Sequence, residues 1–184
     1  GVLMGPDWVN TTTPNLPSQL NPYALALDGV DDYVEINEVA EIISQNVDLA
    51  VSLWIKAPPI YTGLKQAGLI AVNTSSGDNV VLGLIGHRGV TDTLYDNKFV
   101  IYDGADGAYE AVSTTDVADN TWHHIAYTSD GTTGCLYVDG VLEDTHMVNY
   151  SFATDNQWSL GQEFDGSASP SDFFEGFIDD VQLY

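Results

Sequence analysis

Four positive charges are all that this chain carries, at Lys56, Lys65, Arg88 and Lys98, against 27 acidic residues. The resulting net charge of −23 repels a phosphate backbone, which excludes nucleic acid as a partner. Cysteine is scarcer still. Cys135 stands alone, so it can form no internal disulfide and no cysteine-based zinc site, and its apolar neighbours mark it as a small core residue. No apolar run approaches the roughly 18–20 residues that cross a bilayer, so no membrane insertion is expected. A basic stretch followed by an apolar one, the mark of a signal peptide, is also missing. Helix signals are nearly absent: only residues 37–44 set Val39, Ile42 and Ile43 on one side of a helical turn.

What remains is a chain made for strands and turns. Its aromatic and β-branched content is too high for a disordered polyanion. Of the acids, 20 are Asp and 7 are Glu, and Asp is the short carboxylate that serves turns and calcium loops. So many like charges repel one another in a compact state, which points to surroundings rich in divalent cations or salt, outside the cell. Residues 47–56 alternate, with Val47, Leu49, Val51, Leu53 and Ile55 on one face and only Trp54 needing cover on the other. Pro58-Pro59 ends that strand. Further strands are predicted at 67–73, 80–85, 98–103, 109–113, 121–129, 134–138, 141–145, 157–161 and 174–184. The sharpest turn is Asp139-Gly140, which supplies the positive φ of a two-residue hairpin. Residues 1–22, broken by Pro14, Pro17 and Pro22, read as an extended lead-in with Trp8 and Val9 docking on the body. Residues 23–184 read as one all-β domain, a two-sheet antiparallel sandwich with at most one short helix.

Two segments carry adjacent aspartates where a half-buried strand prefers neutral residues: YALALDGVDDYVEI at 23–36 and FEGFIDDVQLY at 174–184. Such pairs repel unless a cation or hydrogen-bond donors neutralise them. If the two strands pair, the first and last parts of the fold are tied together, with calcium the expected ion.

Four pieces in order, ALALDGVDDYVEI, VSLWIKAP, NTWHHIAYTSDGTTGCLYVDGVLE and SLG…FFEGFIDDVQLY, resemble the laminin-G-like, concanavalin A-type jelly rolls of lectins, pentraxins and secreted bacterial proteins. The resemblance implies two antiparallel sheets of about six or seven strands. It also implies a structural calcium ion between the first and last pieces, which falls here on Asp28, Asp31, Asp32, Asp179 and Asp180. Trp122 is expected to anchor the core. His123 and His124, neighbours on a strand, point to opposite faces and cannot share one ion.

The same fold carries glycoside hydrolases, so catalysis has to be read from the residues. A retaining enzyme needs two carboxylates about 5–5.5 Å apart, and the string Glu-x-Asp-x-x-Glu that would present them on one face of a strand is absent. Gly-x-Ser-x-Gly is absent as well. The expectation is a binder and not an enzyme. Aromatic faces beside polar rims suit sugar rings, and the loops offer Tyr102, Asp103, Asp106, Asn156, Trp158 and Asp165. The composition resembles modules of large calcium-dependent adhesins of the RTX type from Gram-negative bacteria. The sequence therefore points to a calcium-dependent carbohydrate-binding module, monomeric as a domain and flanked by other adhesin domains. Its expected place is extracellular, at the bacterial cell surface. A protein- or peptide-binding module and a calcium-stiffened spacer are the alternatives on the same fold.

Overall fold

The computed structural model describes residues 2–5, 7–10, 23–43, 48–59, 66–73, 79–86, 94–103, 108–165 and 169–184. They form a two-sheet antiparallel β-sandwich. Sheet A runs, in spatial order, β1 (Val2–Met4), β4 (Tyr33–Glu35), β13 (Gln157–Leu160), β6 (Gln66–Asn73), β7 (Asn79–Gly86), β8 (Lys98–Asp103) and β9 (Ala108–Asp116). Sheet B runs β12 (Val141–Met147), β11 (Thr133–Val138), β10 (His123–Ser129), β5 (Leu49–Lys56), β16 (Glu175–Leu183), β3 (Tyr23–Asp28) and β2 (Asp7–Asn10). A hairpin of β14 (Glu163–Asp165) and β15 (Ser169–Ser171) stands apart from both sheets, and the one described helix is the single turn α1 (Val39–Ile43).

The period-2 pattern decides which side chains are buried. Leu49, Val51, Leu53 and Ile55 of β5 all face inward. They meet Ile125 and Tyr127 of β10 from their own sheet, and Leu69, Ile70, Val72, Phe99 and Ile101 from the other. Each such side chain contributes about 1.5–3 kcal/mol by leaving water. Trp54 does fall on the outer face, covered edge-on by the His124 ring at 5.3 Å. The Asp139-Gly140 turn has φ values of 50° and 80°, joining Val138 to its ladder partner Val141. Both are positive, as a type I′ hairpin requires.

Three expectations need correction. Cys135 is not a core residue: it lies half-buried on the outer face of β11, between the inward-facing Gly134 and Leu136. Residues 1–22 are not simply a lead-in: β1 pairs with β4 and β2 with β3, so this segment supplies an edge strand to each sheet. Trp122 is not a core anchor. The inward face of β10 begins at His123, which leaves Trp122 half-buried on the outer face against Phe177 at 6.3 Å. His123 is held inside by Asp139 at 2.8 Å, with Thr121 and Asp119 on its other ring nitrogen at 3.1 and 3.3 Å.

On one side of the sandwich the edge strands β12 and β9 lie against each other, joined by side chains. A bulge shifts the β11–β12 register, Leu136 facing Asp144 and Tyr137 facing Leu142. Glu143 is the extra residue, so the alternation of faces is broken and Glu143 and Asp144 both reach β9. The Asp144 carboxylate accepts the Val112 N–H at 2.9 Å, and Glu143 accepts those of Thr114 and Thr115 at 2.7 and 3.0 Å. The Thr115 hydroxyl adds a third bond to Glu143 at 2.6 Å. Donors that an edge strand would offer to another chain are thus taken up internally.

Candidate metal and ligand sites

Among the described residues, three acids converge at the β3–β4 turn. One ligand oxygen from each of Asp28, Asp31 and Asp32 lies within 4.8 Å of the others. The turn is held by Asp28, whose Oδ1 accepts the Val30 N–H at 2.8 Å, while Asp32 Oδ2 accepts the Asp28 N–H at 3.1 Å. Burial and the charges of Asp28, Asp31 and Asp7 raise the Asp32 pKa despite that bond. The turn between β1 and β2 presses on the same carboxylate: a Cβ on Gly5, whose φ is +91°, would sit 2.0 Å from Asp32 Oδ1. Three close, mutually repelling oxygen donors fit a hard divalent cation such as calcium, with backbone carbonyls or water completing its six to eight ligands.

Asp179 and Asp180 are not brought to this group. The strands that carry the two Asp pairs do pair, but in a register that sets Glu175 opposite Asp28. Asp179 lies four residues further along β16, about 13 Å away at ~3.3 Å per residue. Here the aspartates serve a β-bulge. Asp179 faces Trp54 and Gln182 faces Ser52, so three steps on β16 match two on β5. Asp180 is the extra residue, at φ 47°, a conformation that Asp tolerates better than most. Its N–H donates to Asp179 Oδ1 at 2.8 Å, and its carboxylate accepts from Gln182 at 3.0 Å. The bulge returns Val181 and Leu183 to the core beside Ile178.

The residues picked from the loops separate into two groups. Asp103, Asn156 and Trp158 are buried, which removes them from any rim. Trp158 is 0% exposed, in ladder register with core Val72 and packed on Phe152 at 5.0 Å. Asn156 closes a turn by accepting the Ala153 N–H at 2.7 Å. Asp103 lies near the buried tyrosines, and its charge helps push the Tyr150 hydroxyl far up, after burial and the adjacent Tyr127. Asp106 lies outside the described residues.

Tyr102 and Asp165 belong to one surface. On the outer face of sheet A, Tyr95 stacks on Tyr109 at 4.1 Å and Tyr102 tilts against Tyr109 at 5.5 Å. They surround a small apolar cluster of Ala71, Val100 and Phe164, separate from the main core. Phe164 arrives from the β14–β15 hairpin, which lies over β6 because Gly68 lets the backbone of residues 162–163 sit directly upon it. The hairpin brings an acidic wall with it. Asp165 is exposed on β14, and Asp172 follows β15. Burial raises the Asp172 pKa and the charge of Asp165 adds to the rise, while a hydrogen bond with Glu163 opposes it. Tyr95 escaped the sequence reading, which placed Tyr102 and Asp165 in separate loops, because three strands and a hairpin assemble this surface. The one available signal was the apolar Phe164 between two acids.

Several solved structures share this architecture at identities that speak for the fold alone. One is domain 4 of AbnA, a GH43 extracellular arabinanase from Geobacillus stearothermophilus, solved in complex with arabinotriose: TM-score 0.67, 16% identity, covering 100% of this chain and 75% of that one. Another is the CBM40 of the Ruminococcus gnavus IT-sialidase: TM-score 0.63, 13% identity, covering 88% and 89%. A third is the binding domain of botulinum neurotoxin serotype C1: TM-score 0.61, 18% identity, covering 100% of this chain and 43% of that one. No curated protein sequence matches the chain. The family model Laminin_G_3, described as the concanavalin A-like lectin/glucanases superfamily, matches residues 28–184. The chain belongs to that family.

Proposed function

We propose that this domain is a non-catalytic, calcium-dependent glycan-binding module, with its sugar site on the outer face of sheet A. The observation that carries the reading is the floor of Tyr95, Tyr102 and Tyr109 beside the acidic β14–β15 hairpin. Half-buried aromatic rings present a flat face to the apolar side of a pyranose, and carboxylates accept its hydroxyls. The arabinotriose complex and the sialidase CBM40 support a sugar ligand on this architecture. An Asp-rich, strongly acidic composition supports an extracellular, calcium-rich setting such as a bacterial surface adhesin.

A glycan array probed in millimolar calcium tests the site. Binding is expected, and Tyr95→Ala is expected to weaken it about tenfold, close to 1.4 kcal/mol of lost stacking. Tyr95 lies in the turn before β8, so the melting temperature should hardly change. Silence across a broad array, or full binding by Tyr95→Ala, would remove the assignment.

Calcium is assigned to Asp28, Asp31 and Asp32, and its effect has a pH signature. Asp32 has a raised folded pKa, so its ionisation weakens the fold as pH rises through that value. A bound cation offsets the repulsion only where the carboxylates are charged. At neutral pH, calcium at about 100 times its Kd should add about 2.7 kcal/mol, seen as a higher melting temperature than in chelator. That difference should shrink as pH falls through the raised Asp32 pKa and disappear in Asp31→Asn. The outcome to fear is a chelator scan that shows no shift at neutral pH.

A further inference from the structure

At the β1–β2 side of the sandwich, core residues of both sheets line a cleft of about 270 Å³. Leu25 and Val181 line it from sheet B, Val34 and Leu160 from sheet A, with Trp8 and Asp180 completing the wall. Trp8 lies in ladder register with buried Leu25, yet it remains 60% exposed. Its strand, β2, is the outermost of sheet B, with β3 on one side and no strand on the other among the described residues. A free edge beside an apolar pocket is the arrangement that receives an added strand: main-chain bonds give affinity and one inserted side chain gives selectivity.

The charges at the cleft select that side chain. Asp179 lines it together with Asp180, Asp7 lies on β2 itself, and the whole chain carries −23. An inserted leucine would press apolar atoms on two carboxylates. A lysine or arginine lays its aliphatic stem on Leu25, Val34, Leu160 and Val181 and brings its charged head to Asp180. The exposed Trp8 ring adds a cation–π contact at the mouth. Long-range attraction toward a polyanion raises the encounter rate of a basic partner. Of the chain's own cations, the two among the described residues sit elsewhere: Lys98 on β8 is paired with Asp116, and Lys56 lies on β5.

We propose that this cleft is a docking site for an extended segment of a basic protein partner, which adds to β2 and inserts one lysine or arginine side chain. The site is separate from the tyrosine floor and does not depend on the glycan reading. The probe is the peptide Thr-Val-Thr-Lys-Thr-Val-Thr-amide, carrying fluorescein on its N-terminal amine, followed by anisotropy in about 150 mM salt to screen diffuse attraction. Saturable binding is expected. Acetylation of the lysine amine, Trp8→Ala and Asp180→Asn should each weaken it about tenfold, while Tyr95→Ala leaves it unchanged. Asn accepts the left-handed backbone at position 180, and melting temperatures close to that of the parent certify both variants as folded. No binding, equal binding of the acetylated peptide, or full binding by Trp8→Ala and Asp180→Asn would overturn the proposal; the last would reduce it to non-specific polyanion attraction.

Discussion

Replacing Gly68 by alanine is expected to cost about 3 kcal/mol, the upper range for overpacking, and to lower the melting temperature by roughly 9 °C. The added Cβ would lie 2.3 Å from the carbonyl carbon of Gln162 and 2.5 Å from both its oxygen and the Glu163 nitrogen. These are backbone atoms, so no rotamer change relieves the clash. They are also tethered: Gly68 N–H donates to Asp172 O, Gly161 N–H to Leu69 O and Phe174 N–H to Gly161 O, each at 2.9 Å. Relief therefore requires residues 161–174 to lift, drawing Phe164 away from the tyrosine floor. Calorimetry should show the loss, and glycan binding should fall with it. A Gly68→Ala protein melting within about 2 °C of the parent would mean that the hairpin is not seated on β6.

Glu143→Ala is the second large effect. Glu143 accepts three bonds from Thr114 and Thr115, and a bond to a charged acceptor contributes about 1.5–3 kcal/mol net of exchange with water when well shielded, less when part-exposed. A net loss of about 2–3 kcal/mol is expected, together with fast hydrogen exchange at the Thr114 and Thr115 amides. The pH dependence has a definite sign. Burial pulls the Glu143 pKa up, but the hydrogen bonds outweigh it, and the folded value lies below the ordinary 4.5. A depressed folded pKa gives stability that is complete above 4.5 and lost as pH falls through the folded value. Glu143→Gln, which cannot titrate, should flatten the acid limb of a melting-temperature profile. An unchanged limb would show that the β9–β12 closure draws nothing from this charge.

The strands were legible because alternation is a local property: the inward row of β5 and the Asp139-Gly140 turn can be read without knowing any neighbour. The pairing of the first and last Asp-bearing strands was legible too. Their relative register was not, since one residue of slip leaves no mark in either sequence, and the five-acid group came apart for that reason. The bulges at Glu143 and Asp180 were hidden in the same way. Polar neighbours misled the reading of Trp158, because Asp155 and Asn156 suggest a loop while the ring itself is in register with Val72. The tyrosine floor is a property of tertiary packing, with Tyr95, Tyr102 and Tyr109 drawn from a turn and two strands.

The extra residue at Asp180 sets the phase of everything after it. Were it drawn into the ladder instead of bulging out, Val181 and Leu183 would rotate to the solvent side while Gln182 turned toward the apolar interior; deleting it would leave a regular ladder with those faces unchanged. Point changes at 180 are absorbable as long as the left-handed backbone survives. A residue added after it, within Val181–Leu183, is not, so the last strand behaves like a reading frame in which spacing carries more information than identity.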